Sequence, residues 1–514
     1  MSTVKPFDHT VETAKSRYQK LSGDRKAYTD RAEKCAQYTI PMAFPKDSDN
    51  ASTNYETPYQ SIGARGVNNL TSKLMLALFP PNASFFRLSL GDDVLNAMED
   101  DAGTKQEWEA ALNKIERRIM NYMETHQMRV SCNEALLQLV IAGNVLLFLP
   151  PAEGGMRLYR LNSYVLQRDG IGRVIEIIAK ETLSFVAMPE EAQRCIDGAA
   201  IDGDKAYDIY THTYLEDGQY KSYQEVEGKI VDGSEQMYPI DKSPWIPLRL
   251  KKLDGESYGR SFVDEYLGDL KVLEALSKAV VEVAAVSSNI LYLVNPNAIT
   301  RISELSKAKS GDFVKGRVED IQVLQVNKTS DLQITENAIR EIEGRLSYAF
   351  LLNSAVQRNA ERVTAEEIRY VASELEDTVG SIYSILSHEF QLPLVRRFMS
   401  QMTMDGAIPD LPQGSQGVEP VITTGIEALG RGHDLTKLDT FIRYAQVFPE
   451  AFQTAVKQGE ILRQIATALS LDPTAVIKSD EEIQAEQEQQ IQMQMAQSAA
   501  PEAAKAMLNT QEGV

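Results

Sequence analysis

Residues 253–296 read LDGESYGRSFVDEYLGDLKVLEALSKAVVEVAAVSSNILYLVNP, and they decide between two kinds of fold. Gly255-Glu256-Ser257-Tyr258-Gly259 fits G-x-S-x-G, the nucleophile elbow of α/β-hydrolases. An apolar strand at Trp245–Leu250 precedes it and a helix follows. With Ser257 as nucleophile, a hydrolase needs an acid and then a histidine downstream, and His388 and His433 are available. However, Lys251, Lys252 and Asp254 separate the strand from Ser257, so no sharp strand-to-helix elbow forms. Nor does a strand–helix alternation follow. Tyr266, Leu270, Leu273, Leu276, Val280 and Val283 step by three or four residues. That spacing predicts one long helix from Ser261 to about Leu293, ending near Pro296. The motif then reads as an Asp254-Gly255 turn into a capped helix.

Upstream, the first 40 residues read helical, split at Gly23 and stopping before Pro41. Phe44–Ser52 is a polar loop. Tyr59–Phe79 is a helix with Leu70, Leu74 and Leu78 on one face. Thr104–Gln127 is amphipathic, with Trp108, Ile115, Ile119 and Met123, and another helix runs to about Ala142. Then the pattern turns β-favouring: Val145–Leu149, Leu158–Arg168 and Val174–Ala179, with Asp169-Gly170 as a turn. Tyr207–Tyr214 and Tyr220–Val226 form a hairpin around Asp217-Gly218. A β-rich unit at about 145–250 is thus inserted in a mainly α protein, an α+β chain.

Downstream, Asn297–Val326 is mixed. Thr335–Phe350 is a helix with Ile339, Ile342, Leu346 and Phe350 on one face, and Arg358–Val363 is a polar break. Thr364-Ala365-Glu366-Glu367 fits a capping box opening a helix to about Leu392, bent at Gly380. Pro409–Pro420 is a loop, shorter helices run to about Leu471, and the tail from Ser479 is polar and low in complexity. There is no internal repeat.

Composition excludes several classes. The 514 residues, 43% hydrophobic and 25% charged, suffice for about three domains' worth of core. Cys35, Cys132 and Cys195 are far apart, which argues against a disulfide framework or a zinc site and for synthesis in a reducing cytoplasm. No apolar signal segment opens the chain at Met1–Asp8. Leu139–Leu149 falls short of the about 20 residues that span a bilayer, so no membrane is expected. Gly311–Arg317 mimics P-loop spacing but lacks the Lys-Ser/Thr pair, and no metal motif is present, so neither cofactor nor metal is expected. The formal net charge of −20 disfavours tight DNA binding but suits a conduit past which phosphates slide. Asn297–Val318 is locally basic through Arg301, Lys307, Lys309, Lys315 and Arg317, either a solvated face or a docking patch. A coiled-coil scaffold or adaptor is disfavoured, because no heptad run lasts three or four repeats.

Five stretches carry a specific resemblance: FPKDSDNAS (44–52), NNLTSKLMLALFP (68–80), LDGESYGRSFVDEYLGDL (253–270), LLNSAVQRNAERVTAEEIRYVASELEDT (351–378) and SIYSILSHEFQLPLVRR (381–397). They resemble the portal, or head–tail connector, proteins of short-tailed double-stranded DNA bacteriophages, over about residues 10–470. The resemblance implies a closed ring, typically a dodecamer, of subunits with wing, stem, clip and crown. By that likeness 1–260 is the wing, 261–293 and 334–350 the stem helices and 294–333 the clip. Residues 351–363 correspond to the channel loop, 364–419 to a long bent helix returning to the wing, and 420–478 to the crown, leaving 479–514 as a tail.

The resemblance also implies a non-catalytic role in the virion, at one capsid vertex, in genome packaging and ejection. Expected partners are further copies of the chain, double-stranded DNA held without sequence specificity, the terminase large subunit that supplies ATP hydrolysis, and a tail adaptor. The major capsid, scaffolding and internal core proteins complete the set. Symmetry would turn Arg358 and Arg362, with Gln357 and Asn359 beside them, into a basic belt around the DNA. Arg301, Lys307, Lys309, Lys315 and Arg317 are the expected adaptor-docking residues of the clip.

Overall fold

Helix α1 (Ala14–Gln37) is held at its first turn from two sides. The Thr13 hydroxyl accepts from the Ser16 N–H at 3.1 Å, and the Glu225 carboxylate accepts from the Ala14 and Lys15 N–H groups at 2.6 and 3.3 Å. A carboxylate there satisfies unpaired N–H groups and faces the positive end of the helix dipole. Gly23 does not split the helix as its sequence suggests. Its cost, about 1 kcal/mol relative to alanine, is offset by a buried face of Ala14, Tyr18, Leu21 and Arg25. The computed structural model describes residues 12–46, 49–50, 52–81, 84–91, 102–150, 155–196, 203–288, 291–297, 299–324, 329–352, 382–408 and 418–422.

Helix α2 (Ile62–Leu78), strand β1 (Phe86–Leu90), α3 (Ala102–Thr125) and α4 (Met128–Ala142) follow. The expected stripes Leu70, Leu74 and Leu78 on α2, and Ile115, Ile119 and Met123 on α3, are buried, whereas Trp108 is not. Helix α2 starts at Ile62 rather than Tyr59, because the Glu274 carboxylate takes up the Tyr59 and Gln60 N–H groups. Helix α4 is the axis of the main core, with Cys132, Leu136, Leu139 and Val140 fully buried.

Gly143 ends α4 at φ +75°, a left-handed conformation that glycine adopts without strain. A β-carbon there would lie 2.5 Å from the Arg260 carbonyl carbon and 2.6 Å from the Ser261 nitrogen.

The β-rich unit comprises β2 (Asn144–Phe148), β3 (Arg157–Arg160), β4 (Tyr164–Arg168), β5 (Val174–Ser184), β6 (Ala206–Glu216), β7 (Gln219–Val226), β8 (Lys229–Ile230), β9 (Gln236–Pro239) and β10 (Trp245–Arg249). They form two antiparallel sheets. One is three-stranded, β10–β2–β3. The other is six-stranded, β4–β5–β6–β7–β8, with β9 also on β7. Leu158–Arg168 is therefore not one strand: a 3-10 turn at Leu161–Ser163, buried through Leu161, passes the chain from one sheet to the other. The β6–β7 hairpin turns at Asp217 and Gly218, both at positive φ, the conformation a two-residue loop demands. Glu227-Gly228 repeats that device between β7 and β8 without the Asn or Asp that usually signals it.

Helix α5 (Phe262–Ser288) stops short of the expected Leu293. Ser287 and Ser288 favour helix ends, and Leu291–Val294 then pairs as β11 with β12 (Ile321–Leu324). Helix α6 (Thr329–Ala349) begins six residues before the expected Thr335, its first turn being written in Thr, Ser and Asp that read as loop. Arg345 bonds Asp269 on α5 at 3.2 Å, and Phe350 packs on Phe262 and Tyr266.

The helix expected to end near Leu392 instead passes through a π turn, Ser387–Gln391, into α7 (Leu392–Met404). Pro393 follows the π turn directly; such widened turns are common where a helix accommodates a proline, so the helix runs on past it. The last described element, β13 (Val418–Ile422), pairs antiparallel with β1. It contains Pro420, which the sequence places in a loop; a proline is tolerable in this two-stranded ribbon, where an edge lies open.

Candidate functional site

Two regions hold or border the expected site residues: the segment joining β11 to β12, and the junction at the end of α6. In the first, Asp320 is the organising residue. Its carboxylate accepts from the Thr300 hydroxyl at 2.7 Å and from the Ile299 and Thr300 N–H groups at 3.2 Å. The Thr300 hydroxyl in turn accepts from the Arg317 N–H at 3.0 Å. The Thr300 bond, with the backbone donors, holds the Asp320 carboxyl below the usual carboxylate range. Gly316 lies so close to Thr300 that a β-carbon would sit 2.4 Å from its hydroxyl. The tip is thus ordered by one small polar knot.

This knot displays the five expected basic residues. Arg301, Lys307, Lys309, Lys315 and Arg317 are all exposed. Arg301 pairs with Glu304 at 3.3 Å, and the other four make no ion pair among the described residues. The structure adds what charge reading missed. Ile299, Ile302, Leu305, Phe313 and Val318 are exposed on the same segment, Phe313 and Val318 almost completely. Apolar side chains without periodicity in a polar stretch give no sequence signal of a shared surface. Lone apolar residues on a surface are ordinary, but here five exposed apolar side chains share one segment with the exposed cations.

At the second region, α6 ends in a left-handed turn. The Leu352 N–H donates to the Ser347 carbonyl at 2.8 Å and the Leu351 N–H to Tyr348 at 3.1 Å, with Leu351 at φ +55°. This is the Schellman arrangement, with leucine where glycine is usual. Asn69 on α2 donates to the Phe350 and Leu351 carbonyls at 2.9 and 3.0 Å, and the Lys73 ammonium to Leu351 at 2.9 Å. Gln357, Arg358, Asn359 and Arg362 lie outside the described residues.

The G-x-S-x-G stretch is a structural loop. The Ser257 hydroxyl accepts from the Arg168 N–H at 3.4 Å, and the Tyr258 hydroxyl from the Leu166 N–H at 2.9 Å. Asn144 brackets Gly259, accepting from its N–H at 2.6 Å and donating to its carbonyl at 2.8 Å. Helix α5 starts only at Phe262, so Ser257 does not stand on a strand-to-helix elbow. His388 sits in the π turn, and His433 lies outside the described residues. Among the described residues no cluster of potential ligands could hold a metal, and no helix is long and apolar enough to cross a membrane.

The family model for "Bacteriophage head to tail connecting protein" matches residues 11–477. The chain belongs to this family. Its curated relatives carry the name portal protein. That of Escherichia phage T7 is 49% identical over 497 residues, covering 95% of this chain and 92% of that one. The portal protein of Enterobacteria phage T3 is 49% identical over 480 residues (92% and 89%), and that of Enterobacteria phage SP6 is 32% identical over 489 residues (93% and 92%). Among solved structures, the neck of an empty gene transfer agent particle aligns over 81% of this chain and 91% of that one, at 12% identity and a TM-score of 0.37. As a portal protein the chain is a head–tail connector of the bacteriophage virion, which replaces the hydrolase and scaffold readings.

Proposed function

We propose that this portal protein works as a closed ring of identical subunits, twelve by analogy with its family, at one capsid vertex, through which double-stranded DNA enters and leaves. The observation that carries the reading is family membership across nearly the whole chain. The helices support it. Past Leu273 none of the described α5 side chains is buried, and on α6 none of those before Ile342. Val281, Val286 and Ile334 are each more than half exposed. Apolar side chains on unburied helices are explained if neighbouring copies cover them, each presenting the same pair of helices around one axis. In that arrangement α5 and, from residue 334 on, α6 are the stem, 294–333 the clip, 1–260 the wing and 420–478 the crown.

The chain acts here as a passive conduit without catalysis, and the terminase large subunit docks on it to drive packaging. Its net charge of −20 keeps phosphates from sticking, while a belt of Arg358 and Arg362, flanked by Gln357 and Asn359, keeps the duplex centred. The tip later receives the tail adaptor through Arg301, Lys307, Lys309, Lys315 and Arg317. Capsid, scaffolding and internal core proteins meet the wing and crown. Two variants test the assignment. Arg358→Ala with Arg362→Ala should leave assembly intact and impair packaging or genome retention; normal particles would remove the belt. Charge reversal at Lys307, Lys309, Lys315 and Arg317 should weaken adaptor binding and spare ring formation; unchanged binding would remove the docking role.

A further inference from the structure

We propose that Asn69 and Lys73 of α2 are positioning residues for the segment that follows Leu352: they hold the end of α6 in a strained turn and so fix where the chain leaves the helix pair. This rests on the reading of residues 351–363 as the channel loop, which the experiment below tests separately.

The argument starts from strain. A leucine at φ +55° brings its β-carbon against the backbone, at a cost of about 1 kcal/mol or more. Glycine would avoid that cost, yet the sequence has Leu351, with its side chain buried. Strain of this kind persists only where the surroundings over-determine it. Here they do so three times. The two turn bonds to Ser347 and Tyr348 close the Schellman loop. The Asn69 amide bridges two successive carbonyls that the helix cannot satisfy itself. The Lys73 ammonium, buried to 6% exposure, bonds the Leu351 carbonyl at the negative end of the α6 dipole.

Gly66 completes the seat, because the Phe350 ring occupies the place of a side chain there: a β-carbon would lie 2.6 Å from it. Asn69 and Lys73 are one helical turn apart, on the face of α2 that also carries Gly66. None of this is needed merely to end a helix, which a glycine would do alone. Residues 351–356, Leu-Leu-Asn-Ser-Ala-Val, contain no glycine or proline to stop α6 from running on. The stop is imposed from α2.

The experiment is limited trypsin digestion of assembled full-length rings. In Asn69→Ala/Lys73→Met, cleavage after Arg358 and Arg362 should rise about tenfold relative to cleavage after Lys307 and Lys309 in the tip, the scale of one lost charge-assisted bond. Lys73→Arg, which keeps the donor, should stay near the parent ratio. General loosening would raise both sets of cuts together and leave the ratio unchanged, and an unchanged ratio overturns the proposal. If the double variant does not assemble, Asn69→Ala alone, with the Lys73 bond intact, carries the same test. The channel-loop reading is judged apart from this, by genome retention in Arg358→Ala/Arg362→Ala. Normal retention there with a raised ratio in the α2 variant would discard the channel role and keep the anchor.

Discussion

Close approach of two backbones leaves no tolerance at Gly143. The residue turns α4 into β2 at positive φ, and Leu250 donates its N–H to the Gly143 carbonyl at 2.9 Å. On its other side the backbone of Arg260 and Ser261 fills the space a β-carbon would need. Gly143→Ala combines a left-handed alanine with a clash against main chain, which has no rotamer to give. A loss of about 3 kcal/mol of stability is expected, measured as a fall in the denaturation midpoint at unchanged slope. Gly259 faces the same crossing, its β-carbon position 2.9 Å from the Lys251 carbonyl oxygen. The glycines of the G-x-S-x-G motif thus serve packing and turning rather than a nucleophile.

At the scale of elements, α1 is fastened to the six-stranded sheet by a buried polar cluster. Arg17 bonds Glu176 at 2.7 Å, and His212, fully buried, bonds the same carboxylate at 2.9 Å and the Tyr223 hydroxyl at 2.9 Å. Burial alone would raise the Glu176 pKa, but the His212 and Arg17 bonds outweigh it and hold the group below its ordinary value. The sign follows. A depressed folded pKa gives stability that is complete above the unfolded value, about 4.3, and is lost as pH falls through the folded one. Arg17→Met should cost about 3 kcal/mol, since it strips one partner from a buried pair. It should also flatten the acid limb of the stability curve, as read by denaturation at stepped pH. An acid limb identical to the parent's would show that the cluster does not hold α1.

Local signals made many elements legible. The stripe Leu70, Leu74, Leu78 gave α2 its buried face, and Asp217-Gly218 gave a hairpin turn. What stayed hidden depends on distant partners. Gly23 sits inside a helix because the sheet holds that helix. The pairing of β1 with β13 joins Phe86–Leu90 to Val418–Ile422, and neither stretch shows it alone. The π turn was unreadable because its lock is tertiary: Glu389 binds Arg249 of β10 at 2.8 Å, and Gln391 donates to the Leu78 carbonyl at 2.5 Å. Of the candidate site, the basic tip residues are visible as local charge. Their apolar neighbours and the α2 anchor are not, since both are products of the folded arrangement.

For the whole molecule, the single chain leaves much of its helix pair and of the segment between β11 and β12 exposed. Core side chains gather around α4, while α5 beyond Leu273 and α6 before Ile342 bury nothing among the described residues. A helix of 27 residues is about 40 Å long, and exposing half of it with valines outward is costly in water. Copies arranged about an axis would remove that cost and define an opening. The most direct measurement is electron microscopy of the purified full-length protein. Annular particles with a central hole wide enough for duplex DNA are the expected result; single globular chains under all conditions that favour assembly would contradict the account.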